Sequence, residues 1–141
     1  MARKKKQKTI LVTGASGFLG YHLVQELLCR DQAVKTLTRS PNARLASLGV
    51  EQVHGSIVDP DVCLAAVDGV SAVYHVAGTV ARTPDDAGFL YDVHVNGTRN
   101  VLDACLQHSV EDVVYVSTSG TVGVGENDDF IVRIIINLFD I

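Results

Sequence analysis

The chain has little cysteine, no histidines at metal-binding spacing, no long apolar run and, past Lys35, no lysine. Each scarcity closes off a class of chemistry. Cys29, Cys63 and Cys105 stand far apart, without a C-x-x-C pair or an even-numbered framework, so neither a disulfide scaffold nor a cysteine zinc site is expected. They read as small buried hydrophobes in a reducing compartment. His22, His54, His75, His94 and His108 show no H-E-x-x-H or comparable pattern, so no metal is expected. No stretch approaches the ~18 apolar residues of a bilayer span. Only Thr9 to Val12 separate the N-terminal charges from the turn that begins at Thr13, too few for the apolar core of a secretory signal. The expectation is a cytoplasmic protein with no membrane partner.

What is present is an ordinary globular composition. A length of 141 residues predicts one domain, and 47% hydrophobic with 20% charged residues gives enough apolar material for a core. Arg3, Lys4, Lys5, Lys6 and Lys8 place five of the twelve basic residues before the first strand. Seven bases against sixteen acids then leave the body at −9. The basic start is read as a solvated tail over residues 1–8 rather than a nucleic-acid contact, because blocks of like charge repel and stay extended.

The densest information lies at Thr13-Gly14-Ala15-Ser16-Gly17-Phe18-Leu19-Gly20, which follows the apolar run Ile10-Leu11-Val12 and leads into helical periodicity. Strand, glycine turn and helix start in this order predict a dinucleotide site. Gly14 permits the turn, Gly17 lets backbone N–H groups close on a pyrophosphate, and Gly20 lets helix and strand pack closely. The helix N-terminus adds partial positive charge.

Further along, strands are predicted at Ala33 to Thr38, Val50 to His54, Ala72 to Val76 and Val113 to Ser117, with helices between them. Asp59-Pro60 reads as an N-cap followed by proline at the first helical position, with Val62, Cys63, Ala66 and Val67 inward and Gly69 ending the turn. One long helix is predicted from about Phe89 to Gln107, facing the sheet through Leu90, Val93, Gly97, Val101, Ala104 and Cys105. Repeated strand and helix with mainly apolar strands predict an α/β fold, a doubly wound parallel sheet of Rossmann-like type ending after about the fifth strand. Its ligand would lie at the carboxyl ends of the strands, where strand order reverses.

Five ordered segments carry a family resemblance: T-G-A-S-G-F-L-G at Thr13 to Gly20, Gly55-Ser56-Ile57-Val58-Asp59, V-Y-H-V-A-G at Val73 to Gly78, V-N-G-T at Val95 to Thr98, and V-V-Y-V-S-T-S-G-T-V-G at Val113 to Gly123. Together they resemble the extended short-chain dehydrogenase/reductase family of NAD(P)-dependent epimerases, dehydratases and reductases. The resemblance implies a dinucleotide-binding domain over 9–125, followed by an atypical segment, 126–141. It implies that Gly14, Gly17, Phe18, Leu19 and Gly20 wrap the pyrophosphate, and that Thr38 and Arg39 face the ribose where NAD-specific sites carry an acid about 20 residues past the glycines. A guanidinium there favours NADP, with NAD the alternative. Arg44 competes for that role, and Arg39 could instead be a solvated loop residue.

Ser56 stands where many relatives have an adenine-binding aspartate, with Ile57 beside it. Asp59 reads as a helix cap. Ala77 and Gly78 resemble the small pair against which the cofactor lies, and Asn96 resembles a polar residue near the fourth strand. His75, between apolar neighbours, reads as packed rather than as acid or base. The loop from Val80 to Gly88 would border the open side of the site.

The family's hydride transfer uses a tyrosine, a lysine four residues later and a serine or threonine on the substrate oxygen. Ser119 matches the serine, with Thr118 the near alternative; both also suit turn chemistry. Tyr21, Tyr74, Tyr91 and Tyr115 are followed four residues on by Gln25, Gly78, Val95 and Ser119, so no Tyr-x-x-x-Lys occurs. By resemblance that pair belongs beyond Ile141, and the run Ile131 to Phe139 does not resemble the family's continuation. A gene fragment, a frame change and a truncated homologue all fit. The implied partners are a dinucleotide cofactor, a small-molecule substrate in a full-length relative and, compatibly, a second copy in a homo-oligomer; no nucleic acid is implied.

Overall fold

A computed structural model describes residues 8–80 and 82–117. The basic tail before Lys8, Ala81, Thr118, Ser119 and the segment 126–141 lie outside the described residues. The elements run β1 (Thr9–Thr13), α1 (Phe18–Cys29), β2 (Ala33–Thr38), α2 (Ala43–Ser47), β3 (Glu51–His54), α3 (Pro60–Val67) and β4 (Ala72–His75). A 3-10 turn (Pro84–Asp86), α4 (Ala87–Tyr91), a π-helical segment (Asp92–Gly97), α5 (Thr98–Gln107) and β5 (Asp112–Tyr115) follow.

All pairings among the described strands are parallel, in the order β3-β2-β1-β4-β5. The chain builds outward from β1 through β2 to β3, then returns to lay β4 on the other side of β1. That reversal opens a crevice at the carboxyl ends of β1 and β4.

Alternation along each strand divides the core. Leu11, Leu37, Val73 and Val113 face α3 and α5, meeting Cys63, Ala66, Val67, Val101, Ala104 and Cys105. Ile10, Val12 and Val34 face the other way, onto Val24 and Leu27 of α1 and Leu45 of α2. Burying both sheet faces is what the near-continuous apolar strands require. Each fully buried Leu or Val adds about 1.5–3 kcal/mol to the native state.

Helix ends follow local chemistry. Asp59 caps α3, its carboxylate accepting from the N–H groups of Asp61 (3.0 Å) and Val62 (3.4 Å), with Pro60 in the first turn. Asn42 caps α2 by accepting from Leu45 N–H at 3.1 Å. This five-residue helix carries too little periodicity to stand out in the sequence.

The long helix predicted from Phe89 differs in two respects. It begins at Ala87, and its middle turn from Asp92 to Gly97 is π-helical. A Cβ on Gly97 would lie 2.7 Å from Ile57 Cδ1, so only glycine lets this turn approach the loop after β3 so closely.

Candidate functional site

The turn after β1 is built around absent side chains. Gly14 has φ +69°, and a Cβ there would lie 2.6 Å from the backbone nitrogen of Ala77. At Gly20 a Cβ would meet the Gly14 carbonyl oxygen and lie 2.8 Å from Ala15 Cα. The turn therefore presses against the segment leaving β4, and α1 starts directly on the turn. Gly17 donates its N–H to Gly14 O at 3.0 Å and occupies the N-cap of α1, where no side chain accepts from the first turn. No acid lies in that turn either. The first N–H groups of a helix have no intrahelical acceptor, so this end presents uncompensated donors and the positive pole of a 12-residue helix.

Above this end lies a cleft of about 440 Å³. Gly14, Ser16, Gly17, Phe18, Leu19 and Gly20 form its centre, with Leu37, Thr38, Arg39, Gly55, Ser56 and Ile57 at the β2 and β3 side. Val76, Ala77, Gly78, Thr79, Phe89, Val93 and Val116 close the β4 and β5 side. The turns after β1, β2, β3 and β4 thus meet in one cavity, within the size range of small-molecule sites. Arg39 is the sole charged side chain among these lining residues. In a body of net negative charge, that lining selects for an anion.

The other predicted residues have definite surroundings. Thr38 is buried and donates its hydroxyl to Ser40 O at 3.0 Å, bracing the bend that leaves Arg39 exposed. Arg44 stacks over the Tyr21 ring at 3.9 Å and does not line the cleft. Ser56 Oγ accepts from Val58 N–H at 3.2 Å, closing a local turn. Asn96 is not among the residues lining the cleft: its amide donates to Asp92 Oδ1 at 2.9 Å, four residues back on its own helix.

Several positions escaped the sequence reading. Ser16 sits inside the glycine turn. Phe89 and Val93 enter because the upstream helix overhangs the cleft. Asn100 donates its amide to Ile57 O (3.0 Å) and Val58 O (2.9 Å), pinning the loop after β3 from α5. A polar residue one turn after Gly97, on the sheet-facing stripe, is the signal that marks it.

Thr13 and His75 form a buried polar pair beneath the cleft. Thr13 Oγ1 accepts from Val76 N–H (3.2 Å) and Ala77 N–H (3.1 Å), so its own hydrogen is free for His75 Nδ1 at 2.7 Å. Accepting at Nδ1 leaves the proton on Nε2, which donates to Thr98 Oγ1 at 3.0 Å. Burial, and secondarily the His94 charge, lowers the His75 pKa from 6.5 to about 4, so the ring is a neutral strut near neutrality. Burial raises the thiols of Cys63 and Cys105 to about 12 and about 11, leaving both protonated and unreactive. Among the described residues no cluster of histidine, cysteine or acid could hold a metal, and no helix is long and apolar enough to cross a membrane.

Comparison with known proteins agrees with this geometry. Residues 11–133 match the profile of the 3-beta hydroxysteroid dehydrogenase/isomerase family. A 3 beta-hydroxysteroid dehydrogenase/Delta 5-->4-isomerase of Mycobacterium tuberculosis is 37% identical over 124 residues, covering 84% of this chain and 34% of the relative. A short-chain dehydrogenase/reductase superfamily protein from Agrobacterium tumefaciens, solved with bound NAD, superposes with TM-score 0.69 at 34% identity, covering 76% of this chain and 31% of that one. A UDP-glucose 4-epimerase of Thermus thermophilus in complex with NAD gives TM-score 0.71 at 29% identity, covering 78% and 37%. The chain spans about a third of the length of the curated relative it matches.

Proposed function

The chain belongs to the 3-beta hydroxysteroid dehydrogenase/isomerase family, and from that premise we propose that its cleft holds a nicotinamide dinucleotide. The observation that carries the proposal is the uncapped, acid-free N-terminus of α1 opening into a cavity where Arg39 is the one charged side chain among the described lining residues. The diphosphate lies on the Gly14 to Gly20 turn, the adenosine runs toward Thr38, Arg39, Ser56 and Ile57, and the nicotinamide lies past β1 beside Ala77 and Gly78. Arg39 favours the 2′-phosphate of NADP, because a guanidinium can pair with it while, among the described residues, no carboxylate lines the cleft to hold a free 2′-hydroxyl. The binding unit is residues 9–125. Free cysteines at 29, 63 and 105 are compatible with a cytoplasmic setting.

Chemically, a bound nicotinamide would accept or deliver hydride at a hydroxyl-bearing or carbonyl carbon, the reaction class of epimerases, dehydratases and reductases. The chain's own contribution is to bind and orient that cofactor, with Ser119 the candidate hydrogen-bonding group for a substrate oxygen. These 141 residues contain no Tyr-x-x-x-Lys. A tyrosine phenol near pKa 10 needs a neighbouring cation to ionise at neutral pH, so residues 1–141 alone are proposed to bind without turning over. The atypical 126–141 segment motivates a second reading, a non-catalytic dinucleotide-binding module whose partner contact uses that segment. Calorimetric titration with NADPH and NADH tests the first reading. Co-purification of a partner, lost on deleting residues 130–141, tests the second.

A further inference from the structure

The segment leaving β4 forms one wall of the cleft, and its two ends are held differently. At the inner end Thr13 Oγ1 takes the N–H groups of Val76 and Ala77. Gly78 and Thr79 lie beyond the strand, outside any helix or ladder. His94 reaches them from the π-helical segment. Its Nε2 lies 2.7 Å from Thr79 O and 3.3 Å from Thr79 N. One nitrogen cannot donate and accept through the same position, and the shorter contact assigns its hydrogen to the carbonyl. A Cβ on Gly78 would lie 3.2 Å from His94 Cε1, so the ring also rests on the glycine. Neighbouring Val93 lines the cleft, and Gly97, at the end of the same segment, sits against Ile57. π-helical turns inside α-helices recur at functional sites.

We propose that His94 is a positioning residue that fixes the Gly78–Thr79 backbone and thereby seats the nicotinamide half of the dinucleotide. The proposal rests on the dinucleotide reading above. With the diphosphate on α1 and the adenosine beside Arg39, the second nucleoside must cross β1 onto the wall that His94 holds. His94 is itself exposed and joins no core cluster, so its hydrogen bond orders a loop rather than supporting the fold.

The test is calorimetric titration of the whole chain and its His94→Ala and His94→Gln variants with two probes. One is the nicotinamide coenzyme that the unsubstituted chain binds more tightly, and the other is ADP, which lacks the nicotinamide nucleoside. His94→Ala is expected to weaken the coenzyme about two- to tenfold, the range of one neutral hydrogen bond, and to leave ADP unchanged. His94→Gln, whose amide can donate to the same carbonyl, is expected to restore coenzyme affinity. Equal weakening of both probes, no weakening of the coenzyme, or no rescue by glutamine overturns the role of His94. An unsubstituted chain that binds neither probe overturns the dinucleotide reading itself.

Discussion

Gly14 is the residue on which the cleft depends most. Its φ of +69° disfavours any side chain, and a Cβ would strike the Ala77 nitrogen, which belongs to backbone and cannot move aside. Gly14→Ala is therefore expected to cost about 2 kcal/mol or more in urea unfolding and to abolish coenzyme binding. Gly49 is the control: φ is +72° but no atom lies within 4 Å of its Cβ position, so Gly49→Ala should cost only about 1 kcal/mol and leave binding intact. Arg39 makes the second residue-scale prediction. Arg39→Ala should weaken NADP about tenfold, the worth of a charged hydrogen bond, and NAD much less. Equal loss for both coenzymes would show that the guanidinium does not read the 2′-phosphate.

At the scale of elements, the sheet and most of its helices were legible because the central strands β1, β2 and β4 are largely buried and α1, α3 and α5 each carry an apolar stripe. The glycine turn was legible because Gly14, Gly17 and Gly20 have spacing that only backbone approach explains. Two elements were not. α2 depends on Asn42 accepting from Leu45 N–H, a contact local to five residues, and the π-helical turn depends on Gly97 meeting Ile57, a contact across 40 positions of sequence. Asn96, named from the resemblance, bonds Asp92 within this turn, while His94 was weighed only as a metal ligand. Gly97→Ala separates helix propensity from cleft shape. The added methyl improves the helix by up to about 1 kcal/mol but displaces the Ile57 side chain, which lines the cavity. Coenzyme affinity should fall while the melting temperature changes little. A large loss of stability would mean that Ile57 cannot yield.

Across the whole molecule, the buried Thr13–His75–Thr98 chain links stability to pH. The folded state holds His75 at about 4 against 6.5 for an exposed ring, so between these values the unfolded chain binds more protons. Stability is then full above about 6.5 and declines as pH falls toward 4, by about 3 kcal/mol for a shift of this size. A His75→Gln variant, which has no proton to gain, should be less sensitive to this window in urea unfolding at pH 7 and pH 4.5. Identical pH dependence would remove His75 from the account. The same pair fixes the backbone of Val76 and Ala77, so acid should loosen the wall of the cleft along with the core.

The central claim is that the end of α1 and the loops around it grip a nicotinamide dinucleotide, and calorimetric titration of the folded chain with NADPH and NADH addresses it most directly. The account predicts saturable binding at one site per chain, tighter for NADPH, and lost in Gly14→Ala. Folded protein that releases no heat and gains no thermal stability with either coenzyme would contradict it.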